Sequence, residues 1–205
     1  MIIRGACQHD APQLAALIYA SGPVLIESVF GFDQQHTAQD FLLSAASHEF
    51  GQYGFANHFV AVENEQVLGS VCAWHTELSA SFQQASLHSV VTYYGLERCL
   101  EVVSRSQIIK HFIPPPQAHE WCIGHLAVLT QYQRQGIATQ LLQFMAGLAE
   151  KNGKTMLSLD VSTDNQSAIE FYKQQGFSLQ STSELTLEMQ DLGFATHLHL
   201  HKKLV

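Results

Sequence analysis

The chain has 205 residues and a formal charge of −8, and 46% of its residues are hydrophobic, enough to fill the core of one α/β domain with or without an insertion. Two independent domains are not expected, and residues 1–205 read as one unit. Its ten Lys and Arg are scattered, so no basic stripe exists to track a phosphate backbone, and nucleic acid is excluded as the expected partner.

The opening Met1-Ile2-Ile3-Arg4-Gly5 lacks a charged segment followed by an apolar stretch, and no uninterrupted apolar run approaches the ~20 residues of a membrane span. A cytoplasmic protein without membrane attachment is the expectation. Four cysteines, Cys7, Cys72, Cys99 and Cys122, are widely separated, as reduced thiols would be. Cys72 and Cys122 lie in apolar strand patterns and read as small core side chains.

In chain order, Ile2 to Ala6 predicts a strand, and Asp10 with Pro12 opens a helix carrying Leu14, Leu17 and Ile18 at helical spacing. A loop is expected from Ser21-Gly22-Pro23. Thr37-Ala38-Gln39-Asp40 resembles a capping box before a second helix at Phe41. His58 to Glu63 and Gln66 to Trp74 are strand patterns joined by Asn64-Glu65, a connection of hairpin length.

The segment 77–117 suggests a helical insertion interrupted at Gly95 and stopped by Pro114-Pro115-Pro116. Glu120 to Val128 then predicts a strand, Gly136 to Lys151 an amphipathic helix closed by Asn152-Gly153, and Thr155 to Val161 another strand. Asn165 to Gln174 predicts a short helix ended by Gly176. Two last strands are expected over Phe177 to Glu188 and Ala195 to Leu204.

Chemistry concentrates between Cys122 and Phe177. A strand ends at Leu126-Ala127-Val128, a turn carries Gln133-Arg134-Gln135-Gly136-Ile137-Ala138, and a helix begins at once. Gly136 allows positive φ and close approach of the backbone, and the free N–H groups of a first helical turn attract phosphate oxygens. On its own, an ordinary strand-to-helix turn would look the same.

Gln133-x-x-Gly136-x-Ala138 resembles the Q/R-x-x-G-x-G/A signature of the GNAT acetyltransferases. Residues Leu126 through Leu148 are similar to that family's motif A, and NQSAIEFYKQQGF, from Asn165 to Phe177, is similar to its motif B. The resemblance implies a mixed α/β GNAT fold, a mostly antiparallel sheet flanked by helices, with the 77–117 insertion placed before the fourth strand.

It further implies acetyl-CoA as co-substrate. Leu126, Ala127 and Val128 would pair with the pantetheine arm by strand addition. Arg134, Gln135, Gly136, Ile137, Ala138 and Thr139 would cradle the pyrophosphate, with Gln133 holding the turn and the Thr139 hydroxyl a further donor. Asn165 would bond the pantetheine region, flanked by Ala168, Phe171 and Lys173, though Phe171 reads equally well as core. Tyr172, at the motif B tyrosine, would protonate the departing thiolate.

Three groups compete as general base: Asp160, Glu120 and His125. Asp160 resembles the carboxylate some members carry in a Leu-acid-Val setting, and a loop-capping role is its structural alternative. Strict alternation, without a bulge, puts Glu120 on the face of Leu126 and Val128 and sends His125 to the other, favouring Glu120.

His197-Leu198-His199-Leu200-His201 aligns three imidazoles on one strand face. Side chains two apart on a strand are about 7 Å apart, so a polar strand face is expected and no metal site. The expected activity is acetyl transfer from acetyl-CoA to a primary amine of a small molecule, peptide or protein, by direct attack in a ternary complex. A non-catalytic acyl-CoA-binding or regulatory domain is the alternative. Val29, Phe30, Phe32, Tyr93 and Tyr94 read as core or as the pocket of the acceptor. A homodimer is compatible with the chain.

Overall fold

The computed structural model describes residues 1–110, 113–191 and 194–204; positions 111 and 112 of the 77–117 segment lie outside them. Seven strands form one mixed sheet: β1 (Ile2–Gly5), β2 (His58–Glu63), β3 (Gln66–Trp74), β4 (Glu120–Val128), β5 (Met156–Ser162), β6 (Ser178–Thr182) and β7 (His197–Lys203). Their spatial order is β1-β2-β3-β4-β5-β7-β6. Every adjacent pair is antiparallel except β4 and β5.

Local sequence explains several elements. The β2–β3 hairpin turns on Asn64 and Glu65, both at positive φ (47° and 65°), which matches the right-handed twist of the strands. Helix α1 (Ala11–Ser21) buries Leu14, Leu17 and Ile18. Helix α3 (Ala38–Ala46) starts at the Thr37 cap, whose Oγ1 accepts from Asp40 N at 3.1 Å and donates to the Asp40 carboxylate at 2.6 Å. Helix α5 (Ile137–Lys151) buries Ile137, Leu141, Leu142, Met145 and Ala149 along one stripe. Bonds from Gly153 N to Glu150 O and from Lys154 N to Ala149 O close its end.

Two segments depart from the sequence reading. The expected loop after Ser21 contains a helix, α2 (Pro23–Phe30), for which Pro23 supplies the preset φ of a first helical residue. The strand expected over 177–188 stops at Thr182, and Leu187–Asp191 forms a short helix, α7. Helix α4 (Ala80–Lys110) fills most of the 77–117 segment and bends at Gly95, whose φ of 77° and ψ of 174° are non-helical.

The sheet separates two cores. On one side α1, α2, α3 and α4 enclose Leu14, Ile18, Phe30, Phe41, Val60 and Tyr94. On the other, α5 and α6 (Gln166–Gln174) cover Val71, Ile123, Leu157, Leu159, Val161 and Leu200. A third cluster joins the β6–β7 connection, through Met189 and Phe194, to Leu25 of α2 and Ile108 and Ile109 of α4.

Candidate active site

The central feature is where β4 and β5 part. They pair only from Glu120 to Cys122 against Met156 to Ser158, although β4 runs on to Val128 and β5 to Ser162. On the opposite edge of β4, Cys72 faces Gly124 and Ser70 faces Ala127, so β4 spends three steps where β3 spends two. His125, at φ 46°, marks this bulge. An extra residue bends a strand and interrupts its ladder, turning β4 away from β5. Backbone groups of β4 beyond Cys122 that point toward β5 thus lack a sheet partner among the described residues, and an extended ligand arm can pair with them.

The slot leads to the turn before α5. Gln133 Nε2 donates to Val128 O at 3.2 Å, tying the turn to the strand end. Arg134 (φ 59°) and Gly136 (φ 80°) both adopt left-handed backbone, and open space lies where a Gly136 Cβ would stand. Among the described residues, no backbone N–H from Arg134 through Thr139 finds a backbone acceptor, and Gly136, the N-cap residue, supplies no side-chain cap. Such a row of free donors at a helix start suits a pyrophosphate. Arg134, Gln135 and Gly136 are exposed, Ala138 and Thr139 half-buried, and Ile137 anchors the helix in the core.

Helix α6 borders the same region. Asn165 Oδ1 caps it by accepting from Ala168 N at 3.2 Å and from Ser167 Oγ at 3.3 Å, which leaves its amide nitrogen for a ligand. Ala168, Phe171 and Tyr172 pack into the α5-side core together with Leu126 and Val128, whereas Lys173 is exposed. The Tyr172 ring contacts Phe171 (5.3 Å) and Phe177 (5.6 Å). Burial pushes its phenol up to about 12, so the hydroxyl keeps its proton at neutral pH and can donate it.

The bulge corrects the expectation based on strict alternation. Leu126 and Val128 face α5, but Glu120 faces the opposite side, and His125 comes to that same side, bonded through Nδ1 to Ser21 Oγ of α1 at 2.9 Å. His125 also contacts Tyr53 and Trp74. Burial, aided by nearby His58, lowers its imidazole to about 3, so it is neutral.

Glu120, Ser158, Asp160, His199 and His201 form a polar network on that face. Asp160 Oδ1 lies 2.9 Å from His199 Nδ1, His199 Nε2 lies 2.8 Å from His201 Nε2, and His201 Nε2 lies 3.0 Å from Glu120 Oε1. Glu120 Oε2 accepts from Gln117 N (2.9 Å) and Ser158 Oγ (3.3 Å). Glu120 is only 1% exposed and sits at the closed end of the slot, so it reaches a substrate only through other groups. Asp160 lies beyond the last β4–β5 pair, at the open end. It pairs with His199 across the sheet instead of capping the following loop. That carboxylate raises the His199 imidazole above its ordinary value.

The sequence reading weighed His197, His199 and His201 together and took them as a polar strand face, with the imidazoles held apart. The Nε2 atoms of His199 and His201 nonetheless converge, while His197 Nδ1 turns to Ala195 O at 2.9 Å. The available signal was register: Asp160 in one strand opposite an alternating histidine strand. Cys72 and Cys122 are buried free thiols; burial raises both, Cys122 to about 12, which keeps them un-ionised.

The family model described as Acetyltransferase (GNAT) family matches residues 28–177. The chain belongs to the GNAT acetyltransferase family. Among solved structures, an N-acetyltransferase from Staphylococcus aureus Mu50 superposes with a TM-score of 0.67 at 20% identity, covering 98% of this chain and all of that one. The structure of yncA from Salmonella typhimurium with its cofactor acetyl-CoA matches with a TM-score of 0.56 at 14% identity, over 100% of this chain and 94% of that one. Both share the GNAT fold. N-alpha-acetyltransferase 30 of Schizosaccharomyces pombe is 36% identical over 55 residues, 27% of this chain and 37% of that protein. The matched segments span about a third of the length of the curated relatives. No single helix among the described residues is long and apolar enough to cross a membrane.

Proposed function

We propose that this GNAT protein transfers acetyl from acetyl-CoA to a primary amine by direct attack in a ternary complex. The observation that carries this reading is the slot between β4 and β5, which opens after Cys122 and ends beside the free N–H groups of Arg134 to Thr139. One end offers strand pairing for a pantetheine arm, and the other offers donors for a pyrophosphate. Asn165, Ala168, Phe171 and Lys173 border the arm from α6.

A lysine-like amine with a pKa near 10.4 costs about 4.6 kcal/mol to neutralise at pH 7, so proton removal is part of the task. Asp160, at the open end of the slot and paired with His199, is the acidic group placed to take it. Tyr172, on the α6 side, delivers a proton to the departing thiolate. Acid and base thus approach from opposite faces of the sheet, through the place where β4 and β5 separate.

Thiol release from acetyl-CoA, measured across a panel of α-amines, lysine side chains and polyamines, tests the reading. Saturable CoA binding without transfer to any amine would sink it in favour of a non-catalytic acyl-CoA-binding domain. With an accepted amine, Tyr172→Phe should lower kcat roughly tenfold or more, about 1.4 kcal/mol, with acetyl-CoA affinity nearly unchanged. Wild-type turnover by that variant would remove Tyr172 from the mechanism. We further propose that the protein works in the cytoplasm, with an amine as its partner.

A further inference from the structure

The polar network on β4, β5 and β7 brings several basic atoms to one point. Asp160 accepts at Oδ1, so His199 carries hydrogen on Nδ1 and, in its neutral form, a lone pair on Nε2. That Nε2, His201 Nε2 and Glu120 Oε1 all lie within 4.8 Å of one another. The two imidazole nitrogens share one proton across 2.8 Å. Glu120 Oε1 gains nothing from it: His201 Nε2 is 3.0 Å away, but off the direction of a hydrogen bond, and the buried oxygen has no hydrogen-bond partner among the described residues. A buried carboxyl oxygen left without a partner is costly.

We propose that Glu120, His199 and His201 form a binding site for a divalent transition-metal ion of the zinc type. The ligand set is one carboxylate and two imidazoles, which suits such ions, with contacts of about 2.0–2.2 Å and a fourth position left for water. Around one tetrahedral ion the ligand atoms stand roughly 3.3–3.5 Å apart, so the two imidazoles, now 2.8 Å apart, must open and turn toward a common centre. The surrounding groups are those that orient ligands. Asp160 fixes the His199 tautomer, while Gln117 N and Ser158 Oγ hold Glu120 Oε2 and leave Oε1 to point inward. The His201 side chain is 14% exposed and gives an ion its way in. On binding, the ion takes the place of the shared proton and both imidazoles bind as neutral rings with hydrogen on Nδ1: the proton moves to His201 Nδ1 if that atom is bare, and leaves to solvent if it already carries one.

The site is tested on tag-free protein stripped with a chelator and titrated with Zn²⁺ by calorimetry, and with Co²⁺ by visible absorption. Neither measurement involves acetyl-CoA or an amine, so its outcome is separate from that of the transferase reading. One ion per chain is expected. Asp160→Asn should weaken binding about 10–100-fold, and His201→Ala or Glu120→Gln at least as much. His197→Ala, on the same strand but turned to Ala195 O, should leave it unchanged. Circular dichroism checks that each variant folds; His201→Ala, at the most exposed of the three ligands, carries the test if Glu120→Gln does not. Absence of saturable binding, or binding that persists undiminished in folded His201→Ala, would overturn the proposal.

Discussion

The two faces of β5 and β7 share one backbone and carry opposite chemistries. Toward α5 and α6 they present Leu157, Leu159, Val161, Leu198 and Leu200; toward the other side they present Ser158, Asp160, His197, His199 and His201. Register makes the division complete, since Leu159 stands opposite Leu200 while Asp160 stands opposite His199. A face that only had to stabilise the sheet would repeat the leucines. Burying four titratable groups costs desolvation, so the polar face exists for what those groups do.

The largest effect should come from the apolar face. Leu159→Ala removes a side chain that is 2% exposed beneath α5 and should cost about 2–5 kcal/mol in chemical denaturation. A loss below about 1 kcal/mol would mean that this face is less tightly packed than a core site. On the polar face, Asp160→Leu strands the His199 N–H and should cost about 1–3 kcal/mol. Adding His199→Leu should restore most of that stability while acetyl transfer stays lost. If the double variant is less stable than the single, the pair contributes to folding and the contrast between the faces weakens.

Acid probes the α1-facing side near the bulge. His58 and His125 are held at about 4 and about 3 by burial, below the ordinary 6.5, so protons favour the unfolded chain. Stability should be full above about pH 6.5 and fall as pH drops toward 4, with Tm lower by several degrees at pH 5 than at pH 7. His58→Gln should flatten that profile. The smallest effect concerns the turn: at φ 80° with open space around it, Gly136→Ala meets no clash and should cost only about 1 kcal/mol of conformational energy. Its acetyl-CoA affinity should weaken by a comparable amount, readable by calorimetry.

Short-range chemistry was legible in the sequence. The Asn64-Glu65 hairpin, the Thr37 cap and the α5 stripe depend on residues within a few positions of one another. The Gln133 to Ala138 turn was legible for the same reason. Side-chain placement across strands was not. The bulge at His125 comes from the pairing of β4 with β3, and it reversed which residues share a face with Glu120. Convergence of His199 and His201 depends on how two rings lean, with Asp160 of β5 holding one and Glu120 of β4 beside the other. Helix α2 was legible in principle, because a proline after glycine can open a helix as readily as a loop.

The corner at Gly95 gives α4 a particular independence. This long helix rests on α2 and α3, with Tyr94 bonded to Phe30 O and Arg105 stacked over Phe32, while the sheet holds its ladder elsewhere. Arms on either side of the corner can lengthen, shorten or change their surface without disturbing a single strand pair. Selection can therefore rework the wall formed by these helices while the sheet and its slot stay fixed, at little cost to folding.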